Sequence, residues 1–329
     1  MKNKRPIFIV GCERSGTTML RLILHSHTNI VIPPQTKYIK KIYKRRLFFG
    51  NLSKQKNKNR IVKWFFDNHN KKTKIIDLGL NPNDIKSEMI KSGDTLGSIL
   101  STIFKLYSKQ YNKIRWGDKH PYYIKYLDQL FKLFSDAQVI HIIRDGRDAV
   151  ASLKSMPWWK NNSIYSMLNW QEAISNGKRA KLKYTSDQFI EIRYEDIIEE
   201  PEINIKILCD FLEEDFSLKM LEFHKIADTA VPSYKMDWHS DTKQQMNSKK
   251  IGRWQKDLES WESNLMHRKM KEELSVHGYA IPNFQEKIPF GKLINYLTNK
   301  LHYKTTQYSV LIIDKIISTF YPWPLDYRE

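Results

Sequence analysis

Little in this chain of 329 residues points outward or across a membrane. It has 2 cysteines, Cys12 and Cys209, too few for a disulfide framework and in keeping with a reducing compartment. There is no stretch of about 18 uncharged apolar residues, so no spanning helix is predicted. The apolar start "PIFIVG" is too short for a secretory leader. The expectation is a soluble, cytoplasmic protein. Acid is also scarce: 36 Asp and Glu stand against 55 Lys and Arg, a formal charge of +19. That excess suits acidic ligands, nucleic acid or an anionic membrane. The lysines are scattered through segments such as "NLSKQKNKNR" (51–60), with no basic stripe interleaved with aromatics. No specific nucleic-acid partner is therefore expected. No His, Cys and Asp cluster has metal-ligand spacing, and no metal is expected. Internal repeats and low-complexity linkers are missing as well.

What is present is enough apolar material for a full core, 41% of residues, arranged as strands alternating with helices. Strands are predicted at 7–11, 30–32, 113–121, 137–145 and 188–194. Helices are predicted at 16–26, 37–49, 60–70, 95–110, 146–156 and 163–184, with a mostly helical remainder. Strands separated by helices imply parallel pairing through right-handed crossovers. The predicted fold is therefore α/β, a P-loop-type layered domain with a central, mainly parallel sheet flanked by helices. It is expected to span 1–285. A basic, apolar C-terminal extension follows at 286–329, suited to packing on the domain, on a second subunit or on a membrane surface.

The segment "IFIVGCERSGTTMLRLIL" (7–24) has the Gly11-x-x-x-x-Gly16 frame of a phosphate loop, but Thr17 stands where an ATPase carries lysine. The two glycines allow tight backbone geometry, and the amides at the helix start face an anion. Ser15, Thr17 and Thr18 add hydroxyls, and Arg14 adds a planar charged fork suited to phosphate or sulfate oxygens. Cys12 reads as a small space-filler beside the loop. Ligands of open α/β sheets bind at the carboxyl ends of the strands, which gathers Lys119-His120, Arg144 to Ser152 and Arg193 to Asp196 around the same loop. A kinase or NTPase would also need an acid near magnesium. The nearest such segment, "VIHIIRD", has Arg144 intruding before Asp145. Arginine in place of a metal is thus the expected partner of the bound anion, and a P-loop nucleotide kinase or NTPase is the alternative reading.

"VGCERSGTTMLRLILHSH", then "VIHIIRDGRDAVASL", then "IRYEDIIEEP" together resemble the sulfotransferases that use 3′-phosphoadenosine-5′-phosphosulfate (PAPS). The nearest branches are the bacterial and tyrosylprotein sulfotransferases. The resemblance runs in order to about "KIGRWQKDL" (250–258). It implies a 5′-phosphosulfate loop at Arg14, Ser15, Gly16, Thr17 and Thr18. It also implies a 3′-phosphate pair at Arg144 and Ser152, an adenine contact at Tyr194 and a late 3′-phosphate contact at Arg253, with Ser248 and Lys249 as neighbours. Lys119, in "WGDKHP", matches the lysine that offsets charge on the leaving phosphate, together with Arg14. The implied reaction is in-line sulfuryl transfer to a hydroxyl, leaving adenosine 3′,5′-bisphosphate (PAP), with no metal.

Other readings of these residues stay open. Tyr194 also reads as a buried structural tyrosine, Arg193 to Asp196 as a capping network, and Arg147 with Asp148 as a surface pair. The general base departs from the family pattern. The tyrosylprotein branch has a glutamate in a segment resembling "IPPQTKYI" (32–39), where this chain has Gln35. An amide positions an acceptor but cannot accept its proton at neutral pH. His120 is the substitute expected here, a loop cap its other reading, and Asp118 a weaker candidate. A nucleotide-binding homologue with attenuated transfer is a third reading of the whole chain. The acceptor is a hydroxyl of a glycan, a peptide tyrosine or a small molecule, and the basic balance favours an acidic one. Tyr38, Tyr43, Phe48, Phe49, Trp158, Trp159, Tyr234 and Trp238 are the aromatics that either frame its cleft or pack the core.

Overall fold

Five parallel strands carry the polar loops to one edge of a single sheet. A computed structural model describes residues 4–68, 73–282 and 287–327. Among these, β1 (Ile7–Gly11), β2 (Ile30–Val31), β3 (Arg115–Lys119), β4 (Gln138–Ile143) and β5 (Phe189–Arg193) lie in the order β2-β3-β1-β4-β5. Ile9 pairs with Lys119 on one side and with Ile140 on the other, so the loop after β1 opens between two neighbouring strand ends. That is the topological switch point of the sheet. The predicted fold class is the observed one.

Alternation along β1 sets the two layers. Ile7 and Ile9 face α1 (Thr17–His25), and Phe8 and Val10 face the opposite layer. That layer includes α2 (Leu96–Gln110), α3 (Gly146–Lys154) and α4 (Ser163–Lys183). Both faces are apolar because every strand is covered on both sides. Four helices begin at predicted places, and Thr95 and Asn162 cap two of them by accepting from Ser98 N and Tyr165 N. The helix expected at 37–49 is broken at Arg45 into Ile39–Lys44 and Arg46–Phe49. The next runs Gln55–Asn68, and positions 69 and 70 lie outside the described residues, as does most of the expected boundary near 285. Tyr38, Tyr43 and Phe49 are core residues. Beyond the boundary, α5 (Phe290–Thr319) packs against α4, and the chain then returns to bond Gly97 N to Leu325 O and Tyr327 N to Leu133 O.

One expectation is corrected here. Arg147 and Asp148 are buried, not a surface pair. Arg147 grips the Asp145 carboxylate through Nε and Nη2, the latter at 2.6 Å, and lies over the Trp254 ring. Asp148 accepts from the amides of Gly252 and Trp254, both at 2.9 Å, with Arg144 at 3.6 Å. Their burial follows from the docking of residues 252–254 onto α3, a contact about a hundred positions away that leaves no mark on local pattern. Asp148→Ala should therefore cost about 2–4 kcal/mol, because two buried amides and a buried arginine lose their partner. Urea denaturation measures this, and hydrogen exchange at Gly252 and Trp254 should accelerate selectively. Unchanged stability and exchange would return Asp148 to the surface-pair reading.

Candidate functional site

The loop after β1 turns through two left-handed residues, Arg14 at φ 69° and Gly16 at φ 92°. At Gly16 a side chain is excluded twice over: the backbone region disfavours one, and a Cβ would stand 2.5 Å from the Tyr194 ring. Tyr194 is thus pressed against the loop, and Arg144 lies over its ring at 4.7 Å. The loop ends in α1, whose first amides lack intrahelical partners and point toward the loop.

Arg14 and Ser152, far apart in sequence, meet here: Arg14 Nε donates to Ser152 Oγ at 2.9 Å, and Nη1 to Trp238 O at 3.2 Å. Arg144 donates to Arg14 O at 3.2 Å and to Lys250 O, while its buried Nε has no partner. Burial and the neighbouring Arg144 bring the Arg14 guanidinium down to about 10, still charged at neutral pH. Asp145 is fully engaged with Arg147.

A cavity of about 190 Å³ opens over the loop. Gly16, Thr17, Thr18, Arg14, Arg144, Ser152, Tyr194, Arg253, Lys119 and Gln35 all line it. Lys119 Nζ donates to Gln35 Oε1 at 2.9 Å and to Thr18 Oγ1 at 3.4 Å. Burial, with Arg21 and Lys235 nearby, holds the Lys119 amine well below the usual lysine range. Trp158 and Trp238 form part of the wall, edge to face at 6.5 Å. Arg253 reaches the cavity while paired to Asp257 at 2.6 Å.

Several expected residues stand elsewhere. Ser15 is buried, its hydroxyl unpartnered and off the cavity wall. Ser248 and Lys249 do not line the cavity either. His120 is also absent from the wall, and the reason is strand alternation. The β3 ladder continues through His120 N to Ile9 O at 3.1 Å, so Lys119 and His120 point to opposite faces. The His120 imidazole stacks on Tyr123 at 4.7 Å, and burial with Lys119 close by lowers it to about 3. Asp118, on the His120 side, accepts from Tyr123 Oη at 3.1 Å and Lys119 N at 2.9 Å, and burial raises its carboxyl to about 7. Cys12 is buried, its thiol pushed up by desolvation, a space-filler as expected. Arg193 pairs with Asp196 at 3.0 Å, and Glu195 accepts from Asp145 N and Tyr279 Oη, so the structural reading holds for that network around Tyr194.

The residue that sequence reading missed is His239. It lines the cavity, close enough to Lys119 and Arg14 that their charges, after burial itself, lower its imidazole to about 3. It belongs to a short helix, Met236–His239, in a segment without motif or periodicity, so no local signal marks it.

The pattern of the sulfotransferase family matches residues 6–217. Among relatives, protein-tyrosine sulfotransferase 1 of Danio rerio is 24% identical over 63% of this chain and 52% of its own length. A putative protein-tyrosine sulfotransferase of Caenorhabditis briggsae is 23% identical over 75% of this chain and 80% of its own. An uncharacterized Aquifex aeolicus protein is 25% identical over 68% of this chain and 27% of its own. The chain thus spans about half or less of two of these relatives. The sulfotransferase domain of the Synechococcus PCC 7002 olefin synthase shares the fold, with TM-score 0.56 at 19% identity over 86% of this chain and 98% of that domain. With its matched region covering well over half of the sequence, this chain belongs to the sulfotransferase family.

Proposed function

We propose that the protein transfers a sulfuryl group from PAPS to a hydroxyl acceptor, releasing PAP. The observation that carries this reading is the meeting of Arg14, Ser152, Arg144 and the Gly16–Thr18 helix start on one cavity, with Lys119 at Thr18. The orphaned Nε of Arg144 and the left-handed, glycine-tight loop fit a nucleotide with phosphate groups at two positions. When bound, PAPS supplies an activated sulfuryl group whose departure leaves negative charge on the 5′-phosphate. Gly16, Thr17 and Thr18 would hold that end with amides and hydroxyls, and Arg144, Ser152 and Arg253 the 3′-phosphate. Tyr194 is the residue for the adenine. Lys119 and Arg14 are positioned to offset developing charge. An NTPase reading is disfavoured by Thr17 in the lysine position and by Asp145, whose carboxylate is already committed to Arg147.

For the base we propose His239 in place of His120. Gln35 can hold an acceptor oxygen but cannot take its proton. His239 is the imidazole on the cavity wall, near Lys119, and a ring nitrogen there could receive that proton. The acceptor is a hydroxyl of a glycan, a peptide tyrosine or a small molecule. Trp158 and Trp238 offer it an aromatic edge, and the cationic surroundings favour an acidic one.

Calorimetry without magnesium should show PAP bound more tightly than ATP. A magnesium-dependent preference for ATP would overturn the donor assignment. Arg144→Ala should weaken PAP by about 2–4 kcal/mol. Because a bound anion raises a lysine that burial has lowered, PAP binding followed over a pH series should show proton uptake wherever the free Lys119 amine is neutral. Lys119, lowered in the free protein, rises as phosphate approaches, and the sign is uptake. Comparing buffers of different ionisation enthalpy reads it, and proton release would count against Lys119 facing the anion.

His239→Ala should lose roughly 10²–10⁴ in kcat while PAP affinity changes little. His120→Ala should leave kcat within a few-fold once stability is allowed for. With His239 held near 3 in the free protein, its protonation should lower kcat/KM only in acid, while kcat should fall at a higher pH, because a bound donor offsets the cations beside the imidazole. A silent His239→Ala with a large gain from Gln35→Glu would mark the chain as an attenuated transferase.

A further inference from the structure

The helix α5 has two unlike faces. Its inner face is tied to the domain: Tyr296 and Tyr303 are buried, Tyr303 bonds to Glu172, and Arg46 binds Asp314 at 3.0 Å. Its outer face is bare. Phe290 is 77% exposed, Leu297 61%, Leu301 67%, Tyr308 62%, Ile312 59% and Ile316 52%. A contiguous apolar strip of this kind usually marks a contact surface. Successive members are separated by 7, 4, 7, 4 and 4 positions. These steps cover seven turns at about 3.7 residues each, close to the 3.6 of a straight helix, so the strip drifts by only about 80° and keeps to one side of α5, a helix about 45 Å long at the usual rise per residue.

A second copy of this face fits poorly. A coiled-coil seam continuing the Leu297–Leu301 step with alternate spacings of three and four would pass through Lys304, Tyr308, Leu311 and Lys315, placing two lysines in the interface. The helix carries four lysines against one acid, Asp314, which Arg46 already neutralises; Lys292 and Lys300 lie over the Trp261 and Tyr296 rings, and Lys304 and Lys315 are exposed beside the strip. Pairing two such faces would set lysines against lysines, whereas anionic headgroups complement them. Among the described residues no helix is long and apolar enough to cross a membrane, so the contact would lie flat. We propose that the outer face of α5 rests in the headgroup layer of an anionic lipid bilayer, its apolar strip turned to the acyl chains and its lysines to the phosphates. This does not depend on the reaction assigned to the cavity.

Co-sedimentation of the full chain with vesicles tests it. Vesicles mixing phosphatidylcholine with phosphatidylserine should bind at least about tenfold better than phosphatidylcholine alone, an advantage lost in high salt. Lys304→Gln and Lys315→Gln should each lower the partition coefficient roughly fivefold. Leu297→Asp with Leu301→Asp should lower it at least about tenfold with the melting temperature unchanged, since both side chains are exposed. Equal retention by the two vesicle types, or binding that these substitutions leave intact, would overturn the proposal. So would a dimer seen in sedimentation that Leu301→Asp abolishes while vesicles are ignored.

Discussion

Concentrated positive charge only partly matched by acid is the constraint around which this protein is organised. Arg14, Arg144, Lys119 and the buried Arg21 and Lys235 act on one another at the carboxyl edge of the sheet, and each is at least partly stripped of water. Burying cations together is costly unless something anionic is close. The backbone answers in part, through Ile32 O and Ala230 O for Arg21 and Arg14 O for Arg144. Asp77, paired with Lys235 at 2.9 Å, and Asp148 answer in part as well, but Asp148 also holds the 252–254 backbone in place. The remaining deficit is spread over the cavity itself, where the polyanionic donor proposed above would complete the balance. The helix start at Thr17 adds to the same field.

That constraint explains which parts of the site were legible in the sequence. β1, its loop and α1 form one local unit, so the glycine frame and the missing lysine at Thr17 could be read from contiguous residues. Arg144 and Ser152 belong to a second local unit and lie a little over two helical turns apart. The alternation that separates Lys119 from His120 was also open to inspection, because successive residues of a strand face opposite ways. His120 sits beside the right lysine in sequence and on the wrong side of the sheet. Asp148 and His239 are different. Each acquires its surroundings from segments a hundred or more residues distant, and a single sequence without strand or helix periodicity at 231–250 carries no trace of that docking.

The aromatics divide along the same line. Tyr38 and Phe49 sit in runs with other apolar residues and fall into the core, Tyr38 stacking on Phe104 at 5.5 Å. Trp158 and Trp238 come from segments with no regular pattern, and their meeting on the cavity wall is a tertiary event. Phe48 and Tyr234 remain exposed, with the Tyr234 hydroxyl donating to Asp77 at 2.6 Å. Aromatic content alone therefore could not separate packing from recognition. The helix α5 sharpens the point: its apolar residues repeat at helical spacing on both faces, and only the position of the domain decides which face is core.

Charge and base are finally one problem. Burial, and after it the cations that would hold an anionic donor, press the His239 imidazole down to about 3, where it is neutral but a weak proton acceptor. An anion in the cavity offsets Lys119 and Arg14 at the same moment that it occupies their donors, and the imidazole recovers basicity. Lys119 is released too: it now donates to Gln35, and a bound phosphate competes for that amine. A glutamate in place of Gln35 would pair with Lys119 and blunt the electrostatic demand that favours the donor. With the amide there, the lysine stays available and the proton must go elsewhere, which is the arrangement in which a histidine on the same cavity wall becomes useful. The part of that basicity which Lys119 and Arg14 suppress is then conditional on the donor being in place, a Coulomb coupling superimposed on burial that requires no movement of the fold.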